Sequence, residues 1–138
     1  MKKKGEFRVR VIYADTDAMG IAYHANYIKW FEVGRAELMR EIGIVYSELE
    51  AAGYKLPVTK MGCHYLLPAR YDDILVIETE ITSLKQASVR FDYIIRDEKK
   101  ERILAEGFTL HPFMSKGKVV RVPRYIVDKI NEATKGDL

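Results

Sequence analysis

The loop before the first helical pattern holds three residues that could do acid–base chemistry, Asp15, Asp17 and His24. The helix that follows begins near Asn26, and a helix N-terminus presents unpaired N–H groups with a partial positive charge. Such donors can stabilise the negative charge that develops on a carbonyl oxygen during attack. Because Asp17 is close enough in sequence to fold back over this helix start, the loop combines a carboxylate with an oxyanion site. That combination predicts chemistry on an acyl group.

Structural roles are the alternative interpretation of the same side chains. Aspartate in a loop commonly accepts hydrogen bonds from turn amides, so Asp15 or Asp17 could serve the backbone alone. His24 could be a packed histidine, and Asn26 could be a helix N-cap. Both interpretations stay open at this point.

The residue types that bind metals lack the spacing of a metal site. The two aspartates are not followed by the glycine and distal glutamate of an EF-hand calcium loop. The remaining candidate ligands are His24, His64, His111 and Cys63, whose spacing does not match a zinc site. We therefore expect no metal and no other cofactor.

Hydrophobic periodicity predicts one long helix and several strands around this loop. The segment Phe7 to Tyr13 alternates in the manner of a half-buried strand. After Asn26, apolar residues recur every three or four positions, which predicts a helix over 27–42 that Gly43 ends. The further predicted elements are a short helix at 46–52, strands at 56–67, 74–83, 88–95 and 102–113, and a last helix at 123–133.

The predicted fold class is α+β, with an antiparallel sheet packed on one long helix. The last four strands follow one another without crossover helices, which excludes a doubly wound parallel sheet and favours a meander. Gly107 lies inside the last strand and indicates a bulge or a close backbone approach. The edge strands of such a sheet stay exposed unless subunits pair, so this layout favours a dimer.

The length of 138 residues and the composition are those of a single domain. We expect this domain in the cytoplasm. Hydrophobic residues make up 48% and charged residues 31% of the chain, which argues against disorder. No stretch has the apolar length of a signal peptide or a transmembrane helix, so we expect neither export nor membrane insertion. The net charge of +3 is too small to favour nucleic acid as a partner.

A longer motif extends from the loop into the predicted helix. Its residues are Asp15-Thr16-Asp17, Gly20, His24, Asn26-Tyr27, Phe31-Glu32, Arg35 and Glu37. It resembles the hotdog-fold acyl-CoA thioesterases of the 4-hydroxybenzoyl-CoA thioesterase type, close to their Tol–Pal-associated bacterial relatives. The resemblance implies a single hotdog thioesterase domain over residues 1–138, with a curved antiparallel five-stranded sheet wrapped around one long central helix. It also implies homodimers that commonly pair again into homotetramers.

The resemblance assigns catalysis to Asp17 and His24. Asp17 matches the catalytic aspartate of the family, and His24 matches the histidine of the Tol–Pal-associated branch. A backbone N–H near His24 would polarise the thioester carbonyl. A thiol with a pKa of about 8.5 leaves as thiolate without strong acid assistance, so a nucleophile and an oxyanion site suffice. Asp17 could attack directly to form a mixed anhydride or deprotonate a water, and His24 could position that water or the carboxylate.

Other positions of the motif are expected to shape the scaffold. Asp15, Asn26 and Tyr27 match positions that form the turn, the helix cap and the helix packing. Arg35 falls on the apolar side of the predicted helix. We expect it to form a buried ion pair with an acid.

Contacts to the acyl-CoA substrate are assigned to Tyr23, Asn26 and Lys85. The 4-hydroxybenzoyl type carries several basic residues at the turn between its third and fourth strands, where they meet the coenzyme A phosphates. In this chain the corresponding turn, residues 83–88, carries Lys85 alone. The sequence therefore departs from that type in its phosphate contacts.

Two other functions share the predicted fold. A hotdog dehydratase or hydratase of hydroxyacyl thioesters pairs a histidine with a helix acid, but Glu32 and Glu37 lie far along the helix from His24. A non-catalytic acyl-CoA-binding protein would use the same pocket, and such proteins usually append a DNA-binding segment for which the predicted hotdog core leaves no room. We therefore favour an acyl-CoA thioesterase.

Overall fold

A computed structural model describes residues 4–135 and confirms the α+β class. The strands are β1 (Lys4–Arg10), β2 (Lys60–Tyr65), β3 (Ile74–Leu84), β4 (Ser88–Asp97), β5 (Ile103–Pro112), β6 (Met114–Ser115) and β7 (Lys118–Val119). The helices are α1 (Asn26–Glu41), α2 (Tyr46–Ala51) and α3 (Arg124–Thr134). Residues 1–3 and 136–138 of the predicted domain lie outside the described residues. No helix within residues 4–135 is long and apolar enough to cross a membrane.

The five long strands form one antiparallel sheet in the order β1-β3-β4-β5-β2. The predicted meander of four strands is wrong for β2, which lies at the sheet edge with Lys60 opposite Leu110 and Tyr65 opposite Ala105. The reason is that a strand has only two sides. Because β3 already pairs with β1 and β4, it has no side left for β2. The β2 strand pairs instead with the side of β5 that does not face β4.

The α1 helix packs across β1, β3 and β4 on one face of the sheet. Alternate residues of β3 and β4 point to this face because successive side chains in a strand face opposite ways. The Phe31 ring stacks on the Tyr93 ring, with their centroids 4.3 Å apart. The buried residues that these elements contribute include Phe31, Leu38, Met39, Leu75, Ile77, Ile81, Phe91, Tyr93 and Ile95.

Gly107 confirms the predicted close backbone approach. A Cβ atom at this position would lie 2.6 Å from the Phe31 ring and 2.6 Å from the carbonyl oxygen of Gly62. Both distances are far shorter than van der Waals contact. The missing side chain is therefore what lets α1 and β2 approach β5 at this point.

The helix boundaries follow the prediction except at the N-cap. Gly43 follows the end of α1 with a φ of +88°, a left-handed conformation that glycine adopts readily. The N-cap residue is Ala25, not Asn26, and no side chain caps the helix. Asn26 is the first helical residue, and its amide group has a different partner in the loop.

Candidate active site

Asp15 ties the loop to α1. Its carboxylate is buried at 4% exposure and accepts hydrogen bonds from the Ile12 backbone N–H at 3.0 Å and from Lys29 Nζ at 2.7 Å. Its carbonyl oxygen accepts a third bond from Asn26 Nδ2 at 2.7 Å. Because Lys29 and Asn26 both belong to α1, these contacts hold the loop against the first turns of the helix, which is the scaffold role expected of Asp15.

Asp17 sits in a tight turn with one carboxylate oxygen engaged. Its backbone N–H donates to Ile21 O and its carbonyl accepts from the Gly20 N–H, both at 3.0 Å. Gly20 has a φ of +77°, which this turn requires. Oδ1 accepts the Met19 N–H at 2.8 Å, whereas Oδ2 has no hydrogen-bond partner within residues 4–135. The half-buried carboxylate is thus hydrogen-bonded through Oδ1, and Oδ2 is left to accept from another molecule.

The start of α1 offers free backbone donors beside His24. The His24 carbonyl accepts hydrogen bonds from the Tyr65 hydroxyl at 2.9 Å and from the Tyr27 N–H at 3.3 Å. The N–H groups of His24 and Ala25 have no acceptor in the described part of the chain. Two N–H groups at a helix N-terminus can bind a carbonyl oxygen that gains negative charge.

A cavity of about 270 Å³ brings the two predicted catalytic residues together. Its walls are Asp17, Ile21, Ala22, His24, Tyr27, Tyr65, Leu66, Leu67 and Pro68. Tyr23 and Asn26, both predicted to bind substrate, are not among these walls. The Tyr23 ring instead lies against the His24 ring, with centroids 4.3 Å apart, and the Asn26 amide is bound to Asp15.

Burial disfavours ionisation of three side chains at and near this cavity. It raises the pKa of Tyr27 and of the Cys63 thiol, and it raises the pKa of Tyr65 to about 12, with a hydrogen bond to Cys63 adding to the shift. A thiol with a raised pKa is a poor nucleophile because the thiolate is the reactive form. These three groups are therefore poor nucleophiles and bases, which leaves Asp17 and His24 as the candidate reacting groups of this cavity.

Lys85 lines a separate cleft of about 400 Å³ that shares no residue with the Asp17 cavity. Two further cations, Arg121 and Arg124, line the same cleft. Arg124 is paired with Asp128 at 3.1 Å, whereas Lys85 and Arg121 form no ion pair with another described residue. The structure therefore adds basic groups that the turn itself lacks.

Sequence reasoning missed the wall formed by Tyr65 and residues 66–68. The prediction placed these residues in or after a longer strand, whereas β2 ends at Tyr65. The signal in the sequence is the apolar run Tyr65-Leu66-Leu67-Pro68. The structure leaves this run partly exposed, with Tyr65 and Leu66 each 43% exposed and Leu67 38% exposed. Arg121 and Arg124 were missed because more than 30 residues separate them from the turn that they approach.

Comparison with known proteins places the chain in a family. Residues 19–104 match the Thioesterase superfamily, a stretch that contains His24 and begins two residues after Asp17. The acyl-CoA thioester hydrolase YbgC of Escherichia coli O157:H7 is 45% identical over 83 residues, which cover 60% of this chain and 62% of that protein.

Solved structures agree with this placement. The hypothetical protein TT1821 from Thermus thermophilus superposes with a TM-score of 0.89 at 29% identity, covering 94% of this chain and 98% of that one. The DHNA-CoA thioesterase of Staphylococcus aureus superposes with a TM-score of 0.86 at 29% identity, covering 94% and 87%. The chain therefore belongs to the thioesterase superfamily and has its hotdog fold.

Proposed function

We propose that this chain hydrolyses the thioester of an acyl-coenzyme A to a free acid and coenzyme A. The observation that carries the proposal is the cavity lined by both Asp17 and His24, where the His24 backbone N–H has no acceptor within residues 4–135. Family membership supports thioester hydrolysis, and the names of YbgC and of the S. aureus enzyme state acyl-CoA substrates for those proteins. A cytoplasmic location and a place close to the Tol–Pal-associated branch of the family stay predictions from the sequence.

In the proposed reaction the thioester carbonyl oxygen accepts hydrogen bonds from the free N–H groups at the start of α1. Asp17 Oδ2, the oxygen without a partner within residues 4–135, faces the substrate or a water. In the general-base route, Asp17 takes a proton from water while the new C–O bond forms. In the nucleophilic route, Asp17 forms a mixed anhydride that water then hydrolyses. In both routes the C–S bond breaks and the thiolate takes up a proton.

A thiol-release assay across short, long, branched and aromatic acyl-CoAs tests this function. We expect turnover of at least one class well above the uncatalysed rate, since enzymes commonly accelerate reactions by about 10⁶-fold or more. Hydrolysis of none of the four classes, by protein that melts cooperatively, would refute the proposal. Binding without turnover would instead favour the non-catalytic alternative.

The phosphates of coenzyme A are proposed to lie near Lys85, at a subunit boundary. Arg121 supports this placement, because it supplies a second cation in the Lys85 cleft that no described acid neutralises. We expect Lys85→Ala to raise the KM about threefold to tenfold with little change in kcat, as loss of a partly exposed charge contact costs on the order of 1 kcal/mol. Lys118→Ala, on the exposed β7 strand, is the matched control. An unchanged KM for every active acyl-CoA contradicts this placement.

A homodimer or a dimer of dimers is the proposed assembly. Two features support it: β1 and β2 are open sheet edges, and apolar side chains flank the Asp17 cavity at the surface. Met19 is 78% exposed, and Tyr65, Leu66 and Leu67 lie in the cavity wall. A second copy would cover this apolar surface. We expect sedimentation equilibrium to give an even-numbered oligomer, and a stable monomer with full activity would contradict the assembly.

A further inference from the structure

A buried arginine lies between α1 and α2, outside the candidate active site. Arg35 is 7% exposed, and its Nη1 is buried without a hydrogen-bond partner in residues 4–135. Its acidic neighbour is Glu32, whose Oε1 lies 3.9 Å from Nη2 and whose side chain is 68% exposed. The ion pair expected from the sequence is therefore a long contact with an acid that faces solvent, and it leaves Nη1 without a partner among the described residues.

A cavity of about 150 Å³ adjoins this guanidinium. Tyr46, the first residue of α2, lines the same cavity, and its hydroxyl oxygen is the second buried polar atom here without a partner among the described residues. Burial raises the pKa of Tyr46, so the phenol stays protonated and can donate a hydrogen bond. The cavity thus has two donors, from α1 and α2, that lie close enough to interact with each other and have no other partner within residues 4–135; one of them carries a full positive charge.

The groups on the inner side of Arg35 supply no negative charge. The Leu56 carbonyl only accepts, so the Nδ1 of His111, 3.1 Å away, carries the proton. His111 Nε2 then accepts from the Thr109 hydroxyl at 2.8 Å, and Thr109 accepts from the Tyr93 hydroxyl at 2.6 Å. Burial raises the pKa of Tyr93 and lowers the pKa of His111; the nearby Arg35 charge opposes the first shift and adds to the second. Every member of this chain of hydrogen bonds is neutral.

We propose that the cavity binds one small monovalent anion, a halide or a small carboxylate, between Arg35 Nη1 and the Tyr46 hydroxyl. An unpaired buried cation is strongly unfavourable. Glu50 also lines the cavity, but it is exposed and forms no ion pair with Arg35 among the described residues. Water can satisfy the N–H groups of the guanidinium, and a bound anion would also balance its charge at close range. The bound anion joins α1 to α2, and the cavity shares no wall residue with the Asp17 cavity or the Lys85 cleft. The site is therefore independent of the proposed catalysis.

Thermal melts at constant ionic strength test the site. Sodium gluconate, whose anion is too large for the cavity, is replaced stepwise by chloride, bromide or acetate. We expect the Tm to rise with the logarithm of the anion concentration above its Kd, by roughly 4 °C at about ten times the Kd. Crystals grown in bromide should show an anomalous peak between Arg35 Nη1 and Tyr46 Oη. Equal melting in all four salts together with no anomalous peak would mean that water fills the cavity, and the proposal would be wrong.

Two variants separate the anion from the acidic neighbour. Tyr46→Phe removes one donor but keeps the ring, so the anion-dependent rise in Tm should fall by half or more. Glu32→Gln removes the charge that competes for Arg35, so the anion concentration that gives a roughly 4 °C rise in Tm should be several-fold lower. Tyr125→Phe, at an exposed position on α3, should titrate as the parent does. If Glu32→Gln lowers the Tm by several degrees at every anion concentration and shows no titration, Glu32 is the counterion and the proposal fails.

Discussion

Asp17→Asn is expected to lower the kcat for acyl-CoA hydrolysis by at least about 100-fold, because general-base catalysis alone contributes roughly 10²–10⁴-fold. Asparagine keeps the size of the side chain and keeps Oδ1 as an acceptor for the Met19 N–H. It removes the charge that attacks the carbonyl or takes the proton from water. The measurement is steady-state hydrolysis of the best acyl-CoA, with thermal melts of the same samples. Hydrolysis within tenfold of the parent rate would show that Asp17 is structural.

Asp15→Asn and His24→Ala are the comparisons that make this result specific. Asp15 is buried and holds Lys29 and the Ile12 N–H, so its substitution should lower the Tm. Asp17 has no ion pair among the described residues and sits in a surface loop, so Asp17→Asn should melt within about 2 °C of the parent. His24→Ala should reduce kcat less than Asp17→Asn does, because the oxyanion donor proposed at this position is the backbone N–H. A fall in kcat with an unchanged Tm therefore identifies Asp17 as the reacting group.

The sequence predicts the individual helices and strands of this fold better than it predicts which strands pair. The α1 helix and strands β3 and β4 were predicted within a few residues. Each buries one face against the same core, so its apolar residues recur at the regular spacing of a helix or a strand. The edge position of β2 depends on which side of another strand is free, and no period within β2 encodes that. Its predicted bounds were also too long, since residues 56–59 and 66–67 lie outside the ladder that the structure forms.

The candidate site likewise combines residues that are close in sequence, which were predicted, with residues from distant segments, which were not. Asp17 and His24 were found together because one loop carries both. The Tyr65 to Pro68 wall and the cleft cations Arg121 and Arg124 come from distant segments, so only the folded chain brings them near. Asn26 has the residue type of an N-cap, but the Asp15 carbonyl takes its amide instead. At this position a hydrogen bond between the loop and the helix, across 11 residues of sequence, overrides the preference of asparagine for the N-cap.

Acid is expected to destabilise the protein through His111, which is fully buried in β5. Its pKa is lowered from 6.5 to about 4, mainly by burial and in part by the Arg35 charge, whereas contacts with the Leu56 and Pro57 backbone oppose the shift. Protonation would place a second N–H against the Thr109 hydroxyl, which at present donates to His111 and accepts from Tyr93. The folded state therefore resists a proton that the unfolded chain binds readily.

The sign of the pH effect follows from this difference. Between pH 6.5 and about 4 the unfolded state binds more protons than the folded state, so the free energy of unfolding rises with pH across that window and levels off above it. The lowered pKa corresponds to a total loss of about 3 kcal/mol on acidification. Urea unfolding at intervals from pH 7.5 to 4 measures this. The slope should be smaller in His111→Gln and unchanged in His64→Gln, whose histidine is exposed on β2.

If His111→Gln fails to fold, an NMR titration of the parent should find one imidazole that stays neutral down to about pH 5. Parallel stability curves for the parent and His111→Gln, or titration of all three imidazoles near their ordinary pKa, would contradict the role of His111.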